Sequence, residues 1–210
     1  MVIKAIIFDV GGVLALNKYP EEIYKGHAHN MSIHGFMAKK IGISVDQWFD
    51  SIDSTYPSAI EGKISEEKFI SITSKNLNIS PKKFTRLYIK AYRKFFKQNK
   101  QLFKQAFELK KQGYIISILS DQHYLSKKAL MPERLYKKFN PIIISCEIGM
   151  RKPNIESYKL IIKKLKLKPI EILFIDNQEW NIKPAKKLGI KTILFKDNKQ
   201  LFKQLNNILK

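Results

Sequence analysis

The chain has 210 residues, 44% of them hydrophobic and 27% charged. That suits a packed globule of one sizeable domain plus a small insertion and excludes disorder. Its one cysteine, Cys146, excludes an internal disulfide, no apolar run could span a bilayer, and no signal peptide is apparent, so the expected setting is cytoplasmic. The formal charge is +21, yet only four of the 39 basic residues are arginine and the 35 lysines are spread along the chain. This argues against a nucleic-acid partner and for a bias of codon composition, though the positive field would still speed encounter with anionic substrates.

The apolar run Ala5–Phe8 reads as a buried parallel strand. Asp9 follows it, then Gly11 and Gly12, which let the chain turn sharply and bring backbone N–H groups close to a ligand. Asp9 is therefore expected at the carboxyl end of a central strand, as a nucleophile, a metal ligand or the cap of a turn. From about Glu21 to Gln98 the pattern is helical without a strand, with helices over 31–41, 45–51, 65–77 and 81–97. Ser65 and Ser80-Pro81 mark helix starts. Trp48 and the aromatic positions from Phe84 to Phe96 recur at helical spacing, as a core of this block. His27, His29 and His34 lack metal-cluster spacing and suit surface or cap–core contacts, with His27 a candidate for reading substrate.

After Asn99 the rhythm changes. A helix over Lys100–Lys111 stops at Gly113, and a strand (114–119) leads to Ser120-Asp121. A helix from about Ser126, a strand (141–144) and a helix over Ile155–Leu165 follow. Then come a strand (170–175) ending at Asp176, a helix closing at Gly189, a strand (191–195) and a last helix. This alternation predicts an α/β fold: a Rossmann-like, doubly wound parallel sheet over residues 1–16 and 99–210. An α-helical cap, residues 17–98, is inserted after the first strand, over the sheet's carboxyl edge.

Four strand ends then carry polar residues: Asp9; Ser120 with Asp121; Arg151-Lys152-Pro153; and Asp176-Asn177 with Asn181. Such ends converge at one crevice. One carboxylate can attack, a hydroxyl and an ammonium can hold an anion, and a second carboxylate can help to hold a metal ion.

With these motifs the chain resembles the haloacid dehalogenase-like (HAD) hydrolase superfamily. In particular it looks like the helical-cap branch, near the glucose-1-phosphate phosphatases and the N-terminal phosphatase domain of soluble epoxide hydrolase. The resemblance rests on Phe8-Asp9-Val10-Gly11-Gly12, Leu119-Ser120-Asp121, Gly149-Met150-Arg151-Lys152-Pro153 and Phe174-Ile175-Asp176-Asn177 with Asn181, four motifs in order over nearly the whole chain. It implies a Mg²⁺-dependent phosphatase of a small phosphorylated metabolite, with Asp9 attacking phosphorus to form an aspartyl phosphate. Ser120 and Lys152 would hold the transferring group, and Lys152 would lower the pKa of Asp9. Gly11, Gly12, Asp121 and Asn181 would join Ser120 and Lys152 around phosphate and substrate. Asp9, the Gly11 carbonyl, Asp176 and Asn177 would hold Mg²⁺.

Three departures from the family pattern stand out. Gly11 replaces an acid–base aspartate, Asn177 replaces a charged metal ligand, and Asp121 replaces an asparagine. Asp121 either supplies the missing acid–base group or caps the next helix and points away. The departures leave two further readings: a weakly active or non-catalytic binding or regulatory module, and 2-haloacid dehalogenation. His123 is read as a surface histidine with a possible reach to the crevice. Trp180 walls the site or packs under it, and Cys146 lacks a base partner.

Overall fold

The computed structural model describes residues 2–19 and 32–209. In chain order, β1 (Ala5–Phe8) and β2 (Ala15–Asn17) precede five helices: α1 (Ile33–Ile41), α2 (Val45–Asp53), α3 (Tyr56–Ile60), α4 (Glu66–Asn76) and α5 (Pro81–Phe95). The second half runs β3 (Phe96–Gln98), α6 (Lys100–Lys111), β4 (Ile115–Ser120), α7 (Tyr124–Leu130), α8 (Glu133–Tyr136) and β5 (Ile142–Ile144). It continues through α9 (Ser145–Ile148), α10 (Ile155–Leu165), β6 (Ile172–Asp176), α11 (Glu179–Lys187), β7 (Lys191–Leu194) and α12 (Asn198–Ile208).

Five strands form one parallel sheet in the order β5-β4-β1-β6-β7. β1 is central, with Ala5 opposite Ile115 of β4 and Ile172 of β6, so it has no free edge and is buried along its length. Successive side chains of a strand face opposite ways. Ile6 and Phe8 join a core with Leu102, Phe103 and Ala106 of α6 and Leu201 and Leu205 of α12. Ala5 and Ile7 join the other core, with Tyr158 and Ile161 of α10 and Ile182 and Ala185 of α11. Helices on both faces explain why the strands are continuous apolar runs. This is the expected doubly wound α/β fold.

The helices between β2 and β3 pack on aromatic rings. Trp48 meets Tyr88, and Phe69 meets Phe84, at edge-to-face angles of 69° in both pairs. The expected starts at Ser65 and Ser80 hold, since each hydroxyl accepts the N–H three residues on. Ser44 adds a capping box with Gln47.

The structure corrects several boundaries. The last helix of this block ends at Phe95. Residues 96–98 leave it to pair antiparallel with β2, Ala15 opposite Gln98 and Asn17 opposite Phe96. Pairing with a segment about eighty residues away overrides the local helical period, which windowed periodicity could not register. Asn99 fixes the return crossing, its N–H donating to the Leu14 carbonyl (2.8 Å) and its side chain to that of Val13 (3.0 Å). α3, α8 and α9 are too short to leave a periodic signal. The strand expected from residue 170 begins at Ile172, after a 3₁₀ turn at Pro169–Glu171. Among the described residues no helix is long and apolar enough to cross a membrane. His27 and His29 lie outside the described residues.

Candidate active site

The four stations meet. The N–H of Asp9 donates to the Ile175 carbonyl (3.0 Å), extending the β1–β6 ladder by one residue and holding the carboxylate at the strand end. Ser120 is the last residue of β4 and Asp176 the last of β6. Lys152 arrives in the loop beyond α9, whose end turns at Gly149 (φ 75°). Its ammonium lies 2.9 Å from Asp9 Oδ1 and 2.6 Å from Asp176 Oδ2. Asp176 also accepts from the Gln178 N–H (2.8 Å) and from Asn181 Nδ2 (3.1 Å). The Lys152 and Asp176 side chains are 1% and 0% exposed and Asp9 is 9% exposed, so Asp9 alone of the three reaches solvent.

Two buried carboxylates share one ammonium. Burial pushes the Asp9 carboxyl up to about 6. The charge of Lys152 opposes the rise, Asp176 adds to it, and hydrogen bonding from Lys152 and Ser120 pulls down again. Lys152 thus lowers the Asp9 value as expected, but desolvation outweighs the single cation and the net shift is upward. For Lys152 burial alone would lower the value, but Asp9, Asp176 and Asp121 together carry it above the ordinary lysine range. The ammonium is fixed in its charged form.

Asp121 does not cap α7, which begins without a side-chain cap. Its Oδ1 accepts the backbone N–H of Lys152 (3.1 Å), tying the β4 loop to the lysine loop, and burial raises its pKa. Asn181 is buried beside Asp176, to which its Nδ2 donates, and its Oδ1 has no partner. Gly12 donates its N–H to the Ala15 carbonyl (2.8 Å), so that donor serves the turn and not a phosphate. Its φ of +83° and the Asn177 amide packed against its Cα admit only glycine, since an added Cβ would lie 2.5 Å from Asn177 Nδ2.

Other residues lie where the sequence did not indicate. His123 is no surface residue. It is fully buried, stacked on Tyr88 (5.2 Å), flanked by Tyr56 and Phe69, and 3.1 Å through Nε2 from the Tyr92 hydroxyl. It therefore links the β4 loop to the helices above. Its burial also drives its pKa down to about 3, so the ring is neutral. His34 accepts the Trp48 indole N–H (2.9 Å). Trp180 is 60% exposed and so does not pack under the site. Cys146 is buried, its thiol pushed up to about 11, and unsuited to attack. Sequence reading passed over Gln122 and Ser145, both buried beside Ser120; no spacing rule singles out such residues.

Cation chemistry suits this donor set. Mg²⁺ asks for one or two carboxylates, with waters and substrate phosphate completing its shell. Among the described residues no group of three His, Cys, Asp or Glu is poised for a metal, but Asn177 Oδ1 is buried without a partner beside the glycine turn. Two surface cavities, of about 600 Å³ between α4 and α5 and about 400 Å³ on α6, do not include Asp9.

Residues 3–189 match the sequence profile of the haloacid dehalogenase-like hydrolases. The chain belongs to that family. Over 80 residues, 38% of its length, this HAD-like hydrolase is 38% identical to bifunctional epoxide hydrolase 2 of Rattus norvegicus, of which the match covers 14%. It therefore spans only a small part of that relative. A HAD-like family hydrolase of Porphyromonas gingivalis superposes with a TM-score of 0.78 at 22% identity, over 100% of this chain and 99% of that one. A HAD family enzyme of Bacteroides thetaiotaomicron, solved as a magnesium complex, gives 0.74 at 25% identity over 96% and 99%. That enzyme has also been solved with magnesium and inorganic phosphate.

Proposed function

We propose that this HAD-like hydrolase is a Mg²⁺-dependent phosphatase of a small phosphorylated metabolite, with Asp9 as the nucleophile. The observation that carries the reading is the Lys152 ammonium held between Asp9 and Asp176, with only Asp9 reaching solvent. A permanent cation beside a half-freed carboxylate suits attack on a dianion. The magnesium and phosphate complexes of the Bacteroides enzyme support it. We also propose the division into a catalytic unit, residues 1–16 and 99–210, and a cap, residues 17–98.

Asp9 is mostly ionised above pH 7, given its value of about 6. One carboxylate oxygen attacks phosphorus, the bond to the leaving oxygen breaks, and that oxygen departs with the electron pair. Lys152 and Ser120 compensate the charge on the transferring oxygens, and position and electrostatics do most of the work. A Mg²⁺ ion held by Asp9, the Gly11 carbonyl, Asp176 and Asn177 would share the phosphate charge. Gly11 offers no acid at the leaving oxygen, which favours substrates with stable leaving groups, such as sugar 1-phosphates, acyl phosphates or anhydrides. The test is phosphate release from a panel of phosphorylated metabolites with and without Mg²⁺. The proposal expects Mg²⁺-dependent release that is lost in Asp9→Asn. Full turnover in Asp9→Asn would overturn it.

A further inference from the structure

Gln122 is buried next to the nucleophile, and no part of the chemistry above uses it. Its backbone is clamped by Ser145, whose Oγ accepts the Gln122 N–H (2.9 Å) and donates to the Gln122 carbonyl (3.3 Å). The side-chain amide donates to Ser120 Oγ (3.3 Å). The same Nε2 lies 3.8 Å from the point where a Cβ would stand on Gly11, and no other heavy atom beyond the chain neighbours comes within 4 Å of that point. The amide therefore borders an open space above the backbone of Gly11, two residues from Asp9. A held side chain that can donate and accept, at the edge of a gap above the turn that follows the reacting carboxylate, is what a positioned water requires.

We propose that Gln122 positions the water that hydrolyses the aspartyl phosphate; this rests on the phosphatase reading. In that step the water oxygen bonds to phosphorus and the bond from phosphorus to the Asp9 oxygen breaks, its electron pair returning to the carboxylate. Both water protons end on phosphate oxygens, so an aspartyl phosphate dianion and water give a carboxylate and dihydrogen phosphate. An amide exchanges no proton in this range. Gln122 thus orients the water without acting as a base, a role that glutamine also plays in GTP hydrolysis. It is a positioning residue, and its effect falls on the second half-reaction.

The test separates the two half-reactions. Wild type, Gln122→Met and Gln122→Leu are mixed with Mg²⁺ and radiolabelled acetyl phosphate and quenched in acid over milliseconds to minutes. The Met variant nearly preserves volume, and melting temperatures report whether each variant is folded. We expect label to enter Asp9 at the wild-type rate in both variants and to leave about tenfold or more slowly, so that phosphoenzyme accumulates. Labelling and decay that slow together, or decay that is unchanged in both variants, would overturn the role of Gln122. Absence of any Asp9-dependent phosphate release from the wild type would overturn the phosphatase reading and the inference with it.

Discussion

The Lys152 ammonium lies between two carboxylates, 2.6 Å from Asp176 Oδ2 and 2.9 Å from Asp9 Oδ1. Asp176 is the fully buried anchor, itself fixed by Gln178 and Asn181, and Asp9 is the partner nearer solvent. The cation is thus set in place by β6 and presented to β1.

Removing that cation should destabilise the fold as well as inactivate the site. Lys152→Met leaves two carboxylates buried without compensation, a loss of about 3–5 kcal/mol at pH 8. Asp9 titrates near 6 even with Lys152 present, and without it protonates at still higher pH. Since a proton removes the uncompensated charge, the deficit should shrink as pH falls from 8 towards 5.5. Urea melts of both proteins at the two pH values check this, and a constant deficit would contradict it.

His123 should make the fold acid-sensitive. Its value falls from 6.5 to about 3 on folding, so below 6.5 the unfolded chain binds a proton that the folded chain refuses. The neutral ring therefore contributes no penalty above pH 6.5. Below it, stability falls by roughly 1.4 kcal/mol per pH unit until about pH 3. His123→Phe keeps a ring among Tyr56, Phe69 and Tyr88 and should flatten that slope. Denaturant midpoints between pH 7 and 4 would show it, and parallel curves for the two proteins would count against it.

Asn177 offers an uncharged oxygen where charge would tighten Mg²⁺. Asn177→Asp should raise Mg²⁺ affinity by roughly tenfold, as ligand charge count does in such sites. Isothermal titration with Mg²⁺ is the measurement, and unchanged affinity would remove Asn177 from the ligand set. Gly12→Ala should act on the same residue from below. Its positive φ and the overlap with the Asn177 amide predict a loss of about 1–3 kcal/mol in thermal unfolding.

Gly11 differs from Gly12 in having room. Its backbone is outside the left-handed region and only the Gln122 amide borders its missing side chain. Gly11→Asp should therefore fold, and its carboxyl could protonate a departing alkoxide. Rates for alkyl phosphates should rise by about 10²-fold while that for p-nitrophenyl phosphate changes little. Steady-state kinetics on both ester classes decide the matter, and equal effects on both would refute the acid role.

Legibility differed by kind of feature. The buried strands, the four polar strand ends and the serine caps could all be read locally, because each depends on a few adjacent residues. β3 could not be, because its partner is β2, about eighty residues earlier. The burial of His123 and the partner of Asp121 could not be read for a similar reason. A histidine next to a polar loop reads as exposed until α4 and α5 are folded over it. An aspartate before a helix reads as a cap until the Lys152 N–H is brought to it.

Order and chemistry along the chain were enough to determine the α/β class, the doubly wound sheet and the convergence of Asp9, Ser120, Lys152 and Asp176. Apolar periodicity and strand-end polarity survive in one dimension. Tertiary structure alone decided that burial overcomes Lys152 in setting the protonation of Asp9, that Asn181 donates to Asp176, and that Gln122 borders the gap above Gly11. Desolvation and contact between distant loops depend on distances in space, and a sequence does not contain them until the chain has folded.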